Sequence, residues 1–197
     1  MADITAHDIF NRIAGHMQEG LKVHDQLVSY YNFLGMDGFA EEHARHYDDE
    51  VCNYRKLSNY YLTFYGMLLN PPKSEDPVII PTSWYRHVTD DVDSSTKRNA
   101  IESGFKAWRD WEHKTKLEYE KSYKQLMDIG ETSAAFFVKG LLEDVLKEIE
   151  TINKVTRKLK NEEFDLKSVS AMQEQLIKKN QNSEVKRNTY NTFDEYY

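Results

Sequence analysis

All four prolines of this 197-residue chain, Pro71, Pro72, Pro77 and Pro81, fall in one short window. Proline removes a backbone donor and clashes with the preceding helical turn, so that window cannot be helix interior, whereas the flanks are free to form long helices. The upstream flank has the right period. Phe10, Ile13, Met17, Leu21, His24, Leu27 or Val28, and Tyr31 recur at three and four residues, which predicts a helix over 5–33 with Asp3 or Thr5 as its cap. Leu34-Gly35-Met36-Asp37-Gly38 is a tight break. A second helix is expected over 39–69, on a stripe of Phe39, His43, His46 or Tyr47, Glu50, Tyr54, Leu57, Tyr61, Phe64 and Leu68.

Two long amphipathic helices joined by so short a break form an antiparallel hairpin. Beyond the proline window the pattern repeats. A third helix over 95–129, capped by Ser94 or Ser95, carries Ile101, Phe105, Trp108, Glu112, Thr115, Tyr119, Ser122 and Leu126. Gly130 interrupts it, and a fourth over 132–159 carries Phe137 or Val138, Leu141, Val145, Ile149, Ile152, Val155 and Leu159. A helix of about 30 residues spans about 45 Å. The connection of about 25 residues can cover about 80 Å when extended. It is therefore read as a crossover returning along the whole bundle, with Val78-Ile79-Ile80 and Trp84-Tyr85 packing on the way. The expected fold class is all-α, a four-helix bundle over 1–160 with one long Pro-rich crossover between helices 2 and 3. Residues 161–197 form a C-terminal extension: a short helix over 168–179 with Val169, Met172, Leu176 and Ile177 on its weak face, then a polar tail with Tyr190, Phe193, Tyr196 and Tyr197. That aromatic tail is a candidate docking segment.

The net charge of -7 argues against a grip on nucleic acid or on an anionic membrane, since both need a basic face. Lys154 to Lys160 reads as a solvated stripe at a helix C-terminus. Cys52 is the single cysteine and is expected to be a small buried or half-buried group. No apolar run is long enough to span a bilayer. Gly-rich phosphate loops, Cys-x-x-Cys and His-Glu-x-x-His are all absent from the sequence.

Phe33-Leu34-Gly35-Met36-Asp37-Gly38-Phe39-Ala40, followed by His43 and Asp48-Asp49-Glu50, resembles the turn between the first two helices of bacterial ferritins. That turn has a Gly-x-x-Gly-Phe-Ala run with an acidic cluster about ten residues on. Leu126-Met127-Asp128-Ile129 with Phe136-Phe137-Val138 is similar in kind but weaker. The resemblance implies the ferritin-like bundle and a di-iron site: a carboxylate from the first helix, Glu-x-x-His from the second and carboxylates from the third and fourth. Hard oxygen ligands with imidazole and open positions suit iron that activates dioxygen. The pattern breaks at two points. The helix-one carboxylate falls on Met17, and the histidine after Glu50 is Asn53. Glu19 is two residues off, about 200° around the helix.

Polar residues nonetheless sit in the stripes. If Met17 faces Glu50 across the hairpin, His24 faces His43, and Glu112 approaches from the third helix. Two readings stand side by side. Either these groups satisfy one another and nearby tyrosine hydroxyls in a hydrogen-bonded core, with His43 or His46 turned to solvent, or His24, His46, Glu50 and Glu112 hold iron or manganese at a displaced site. Glu143 and Glu148 are the remaining carboxylates of the fourth helix, although Val145 and Ile149 take its central positions. Trp108 is expected in the core and Trp111 at an interface or under the crossover. The missing ligands favour a non-enzymatic ferritin-like structural or interaction protein, a homo-oligomer or a partner-bound subunit, with no assured cofactor. Since the resemblance extends to ferritin-like proteins of bacteria and their phages, the expected place is the cytoplasm, or a virion if phage-encoded. The alternative is a metal-binding ferritin-like oxidase or iron store.

Overall fold

The computed structural model describes residues 4–73 and 94–190, with residues 179–190 in backbone alone. Five helices follow in order: α1 (Ala6–Phe33), α2 (Asp37–Tyr65), α3 (Ser94–Asp128), α4 (Thr132–Asn161) and α5 (Leu166–Tyr190). Among the described residues there is no strand.

The helix boundaries follow from local chemistry. Thr5 opens α1 with a reciprocal cap: its hydroxyl accepts from the Asp8 N–H, and the Asp8 carboxylate accepts from the Thr5 N–H at 3.0 Å. α2 stops at Tyr65, four residues short of the expected Leu69. Gly66 adopts φ 65°, and its N–H closes the last turn on the Leu62 carbonyl at 3.0 Å. A residue without Cβ takes this left-handed conformation at no steric cost, so the helix ends there. α5 corrects the sequence reading in the other direction, running to Tyr190 where a short element was expected.

Side-chain contacts fix the directions. His7 meets Tyr61, Gln18 meets Tyr54 and His24 meets His43, so α1 and α2 are antiparallel. Arg12 binds Ser122, His16 binds Thr115 and Tyr30 binds the Ala100 carbonyl, which makes α3 antiparallel to α1 as well. α2 therefore ends at the opposite end of the bundle from where α3 begins. The described start of the connection runs back along α1: the Asn70 N–H donates to Asn11 Oδ1 at 2.6 Å, and Pro72 lies against Gly15. Val78-Ile79-Ile80, Trp84 and Tyr85 lie outside the described residues, as does the tail beyond Tyr190.

The core comes in two apolar halves. One gathers Val23, Leu27, Tyr30, Tyr31, Phe39, Ile101, Phe105 and Ile152 near the α1–α2 turn, together with Phe164, Val169 and Met172 from the last connection and α5. The other gathers Ile9, Phe10, Ile13, Met17, Leu57, Tyr61, Leu126 and Val138 at the far end. Each large apolar side chain fully buried here contributes about 2 kcal/mol of transfer free energy. α5 docks closely at the start of α2. A Cβ on Gly38 would lie 2.7 Å from the Gln173 carbonyl, and Gln173 Oε1 accepts the Gly38 N–H at 3.2 Å, satisfying a free donor of the first turn. Between the two apolar halves lies a band of buried polar side chains.

Candidate metal centre

The band is built from all four bundle helices, with α2 supplying the most. α1 supplies His16 and His24, α2 supplies Glu42, His43, His46 and Glu50, α3 supplies Glu112 and Thr115, and α4 supplies Glu148. His24, His46, Glu50 and Glu112 share a cavity of about 20 Å³ with Tyr119 and Glu148. Asp49, Asn53 and Asp144 also line it. The four residues singled out in the sequence are thus brought together. Glu148 joins them from α4, whereas Glu143 is exposed.

His24 occupies the middle of the band. Its Nδ1 lies 3.3 Å from Nδ1 of His43, and its Nε2 lies 3.8 Å from Glu112 Oε1. Burial, reinforced by the charge on His46, holds both His24 and His43 well below the usual imidazole pKa, so both are neutral. A neutral pair makes the Nδ1 contact with one N–H and one lone pair. In the tautomer where His24 donates, its Nε2 lone pair is turned toward Glu112.

His46 behaves oppositely. Burial alone would lower its pKa, but its Nδ1 faces Glu148 at 3.4 Å and its Nε2 faces Glu42 at 3.7 Å, and these carboxylates raise it to about 9. The Arg45 guanidinium opposes this, lying 3.2 Å from His46 Nε2. Arg45 also binds Glu42 at 2.8 Å and Asp49 at 2.8 Å. Burial pushes Glu42 up, but hydrogen bonds from His46 and Arg45 outweigh it and hold the carboxyl far below the ordinary range.

Glu50 has no such support, and Glu112 has only a contact with Trp108 and the charge of His46 to offset its burial. Glu50 is half-buried as a residue, yet its Oε2 is sealed from solvent and has no hydrogen-bond partner. Burial, then the charge of Glu148, raises its pKa to about 8. Glu112 is buried and raised well above the usual range by burial first and Glu148 second. Glu50 is therefore protonated at neutral pH. Space for Glu50 comes from Gly20, where a Cβ would lie 3.2 Å from Glu50 Oε1 and 3.3 Å from Trp111 Cζ2.

Several expectations change. His43 and His46 are both buried, at 1% and 4% exposure, so neither turns to solvent; Tyr31 stacks on His43, and Trp108 sits edge-on to both. Cys52 is exposed rather than half-buried. Trp111 is buried against α1, stacked on His16 at 4.6 Å. The Glu42–Arg45–His46 cluster went unread in the sequence, although its three- and four-residue spacing marks side chains that meet on a helix. His16, whose Nε2 lies 2.9 Å from the Thr115 hydroxyl, was missed because the adjacent Met17 carried the stripe. Met17 is fully buried in the far apolar half, and Asn53 remains on the cavity wall. Among the described residues no three of these donors converge into a closed ligand set.

Neither a family model nor a curated protein sequence matches the chain. Solved structures do match it in shape. An open-pore ferritin from the hyperthermophilic archaeon Archaeoglobus fulgidus superposes with TM-score 0.71 at 13% identity, over 89% of this chain and 98% of that one. A form of the same ferritin engineered to be closed gives 0.71 at 14%, over 88% and 96%. A PmFTN variant soaked in iron gives 0.70 at 12%, over 85% and 96%. At these identities the likeness is one of fold, and the fold is the ferritin-like bundle.

Proposed function

We propose that this chain is a ferritin-like metal-binding protein that takes up ferrous iron or manganese in the polar band, as an oxidase or an iron store with a non-standard site. One observation carries the reading: Glu50 Oε2 is buried without a partner, in a cavity that also holds Glu112, His24 and Glu148. Natural cores rarely retain an orphaned carboxyl oxygen unless something else binds it. The donors suit the ion, since carboxylate oxygen with neutral imidazole is a hard-to-borderline set favoured by iron and manganese. Glu50, Glu112 and His24 would hold the metal, with Glu148 completing the set from α4. His46, held protonated between Glu148 and Glu42, would join the set only by giving up a proton to solvent. When bound, ferrous iron supplies one-electron reduction of dioxygen. The chain's own part would be to give up the proton on Glu50, to fix the His24 ring through His43, and to exclude bulk water with the two apolar halves.

Met17 and Asn53 take away two ligands that the ferritin resemblance implies, so the site differs from the paired-iron centre of that family. This reading displaces the non-enzymatic structural role favoured by those same substitutions. The likeness to an iron-soaked ferritin variant supports it. Metal analysis of protein purified without chelator tests it. Stoichiometric iron or manganese, lost in Glu50→Ala, is expected; metal-free protein that also fails to take up added ferrous iron removes the proposal.

Self-association is a second element of the proposal. Leu62, Phe64, Met67 and Leu68 at the end of α2, with Phe136 at the start of α4, are exposed. Large apolar side chains gathered at one end of a bundle mark a contact surface. Light scattering on the purified chain is expected to give an oligomer, and a monomer at micromolar concentration contradicts it. No described helix is long and apolar enough to cross a membrane.

A further inference from the structure

A second cavity, of about 30 Å³, lies on the other side of the histidines, under α5. Its walls are mostly apolar, from Phe39, Phe105, Trp108, Val155 and Leu176 with the face of His43; the one carboxylate among them, Glu42, has both oxygens engaged by Arg45. One side chain separates it from the polar cavity: the Trp108 ring lies 4.6 Å from that of His43 and 5.0 Å from that of His46. Exposed Thr151 and half-buried Val155 and Leu176 form its rim, giving a short way in from solvent.

We infer that this cavity is a binding site for a small apolar gas, dioxygen in the cell, held one side chain away from the polar band. The volume is enough for a single water or a diatomic molecule. Water needs two to four polar partners to stay in such a space. The polar groups of the lining do not meet that need: the Tyr31 hydroxyl is turned against Gly104 of α3, both Glu42 oxygens are held by Arg45, and Thr151 stands at the exposed rim. Dioxygen needs no hydrogen bond and partitions readily into an apolar chamber. The arrangement sets an apolar store beside a polar site, with Trp108 and His43 as the wall between them. The cavity stands without the metal proposal. Only its role as an oxygen supply to a bound ferrous ion rests on that reading.

The test uses the full-length, metal-free protein with labelled methyl groups, observed by NMR under oxygen and then under argon at equal pressure. Paramagnetic relaxation from dissolved oxygen is expected to be several-fold greater at the methyls of Val155 and Leu176 than at the methyls of Ile4 and Leu142, likewise half-buried, in the far apolar half. Val155→Phe, which fills the chamber, should bring the Leu176 methyls down to the level of that reference set. If that variant does not fold, Leu176→Phe fills the chamber from its rim and is read at Val155. Uniform enhancement over all buried methyls overturns the inference. So does a water cross-peak to the Val155 methyls under argon, or an enhancement that survives filling. Manganese binding to the same sample is measured separately. Oxygen enhancement in a protein that binds no metal keeps the chamber and sinks the metal reading, and bound metal without enhancement does the reverse.

Discussion

Glu42 and Glu50 lie two turns apart on α2, and the contrast between them is the most informative feature of the molecule. Glu42 is more buried, yet it is held as an anion by Arg45 and His46. Glu50 is half-buried as a residue with one oxygen sealed, meets no cation directly, and keeps its proton to about pH 8. Burial penalises both carboxylates, so the difference is one of partners. The upper part of the band has its charges paired: Glu42 is held by Arg45 and His46, and Arg45 also by Asp49. In the lower part, Glu50, Glu112 and Glu148 have no cation of their own beyond the shared edge of His46. A metal ion would restore the balance that Arg45 supplies two turns away.

Breaking the paired part should cost most. Arg45→Met leaves Glu42 buried without its bidentate partner and is expected to destabilise the protein by about 3 kcal/mol, read by urea denaturation. A loss well under about 1 kcal/mol would mean that His46 alone can hold Glu42. The unpaired part should respond with the opposite sign. The folded pKa of Glu50 is raised, so between about pH 4.5 and pH 8 the native state holds a proton that the unfolded state has lost. Native metal-free protein therefore loses stability as pH rises through that window. His46, raised to about 9, adds a loss of its own between about 6.5 and 9. Glu50→Gln removes the first contribution: at pH 8.5 the metal-free variant is expected to be more stable than the parent by about 4 kcal/mol, and at pH 4 equal to it. Denaturation at the two pH values checks this, and a variant destabilised at both would place Glu50 among the satisfied groups.

Metal binding sharpens the same contrast. An ion at Glu50 must displace its proton, so manganese affinity is expected to rise about tenfold per pH unit from pH 6 to 8 and to level off above that. Calorimetry in buffers of different ionisation enthalpy counts the protons released. Affinity independent of pH over this range would show that the ion avoids Glu50.

Helix order, the two hairpins and the inward side of α2 were legible because they depend on a period that apolar residues repeat many times. His24, His46, Glu50 and Glu112 were legible as polar interruptions of that period. The state of each group was not. Whether a buried histidine is neutral like His24 or charged like His46 depends on which carboxylates other helices bring within 4 Å, and Glu148 arrives from about 100 residues away in the chain. The early end of α2 was hidden for a different reason. Leu68 and Leu69 continue the apolar stripe, and only the backbone conformation of Gly66 shows that the helix has already closed. Cys52 was misread because a helical pattern gives the phase of a residue less sharply than its spacing.

The smallest expected effect is the most discriminating. Glu148 is named twice in the balance: its charge raises Glu50, and its contact with Nδ1 raises His46. Glu148→Gln keeps the size and removes the charge. Both titrations should then fall, Glu50 from about 8 and His46 from about 9, each by up to about one unit. Carboxyl and imidazole carbon shifts followed by NMR against pH read the two together. A drop in His46 alone would mean that Glu50 is raised by burial and not by its neighbour, and the case for a charge deficit in the lower band would lose its electrostatic half. A matched drop would show that one carboxylate on α4 sets the proton on both sides of the cavity, which is the position from which a bound cation would act.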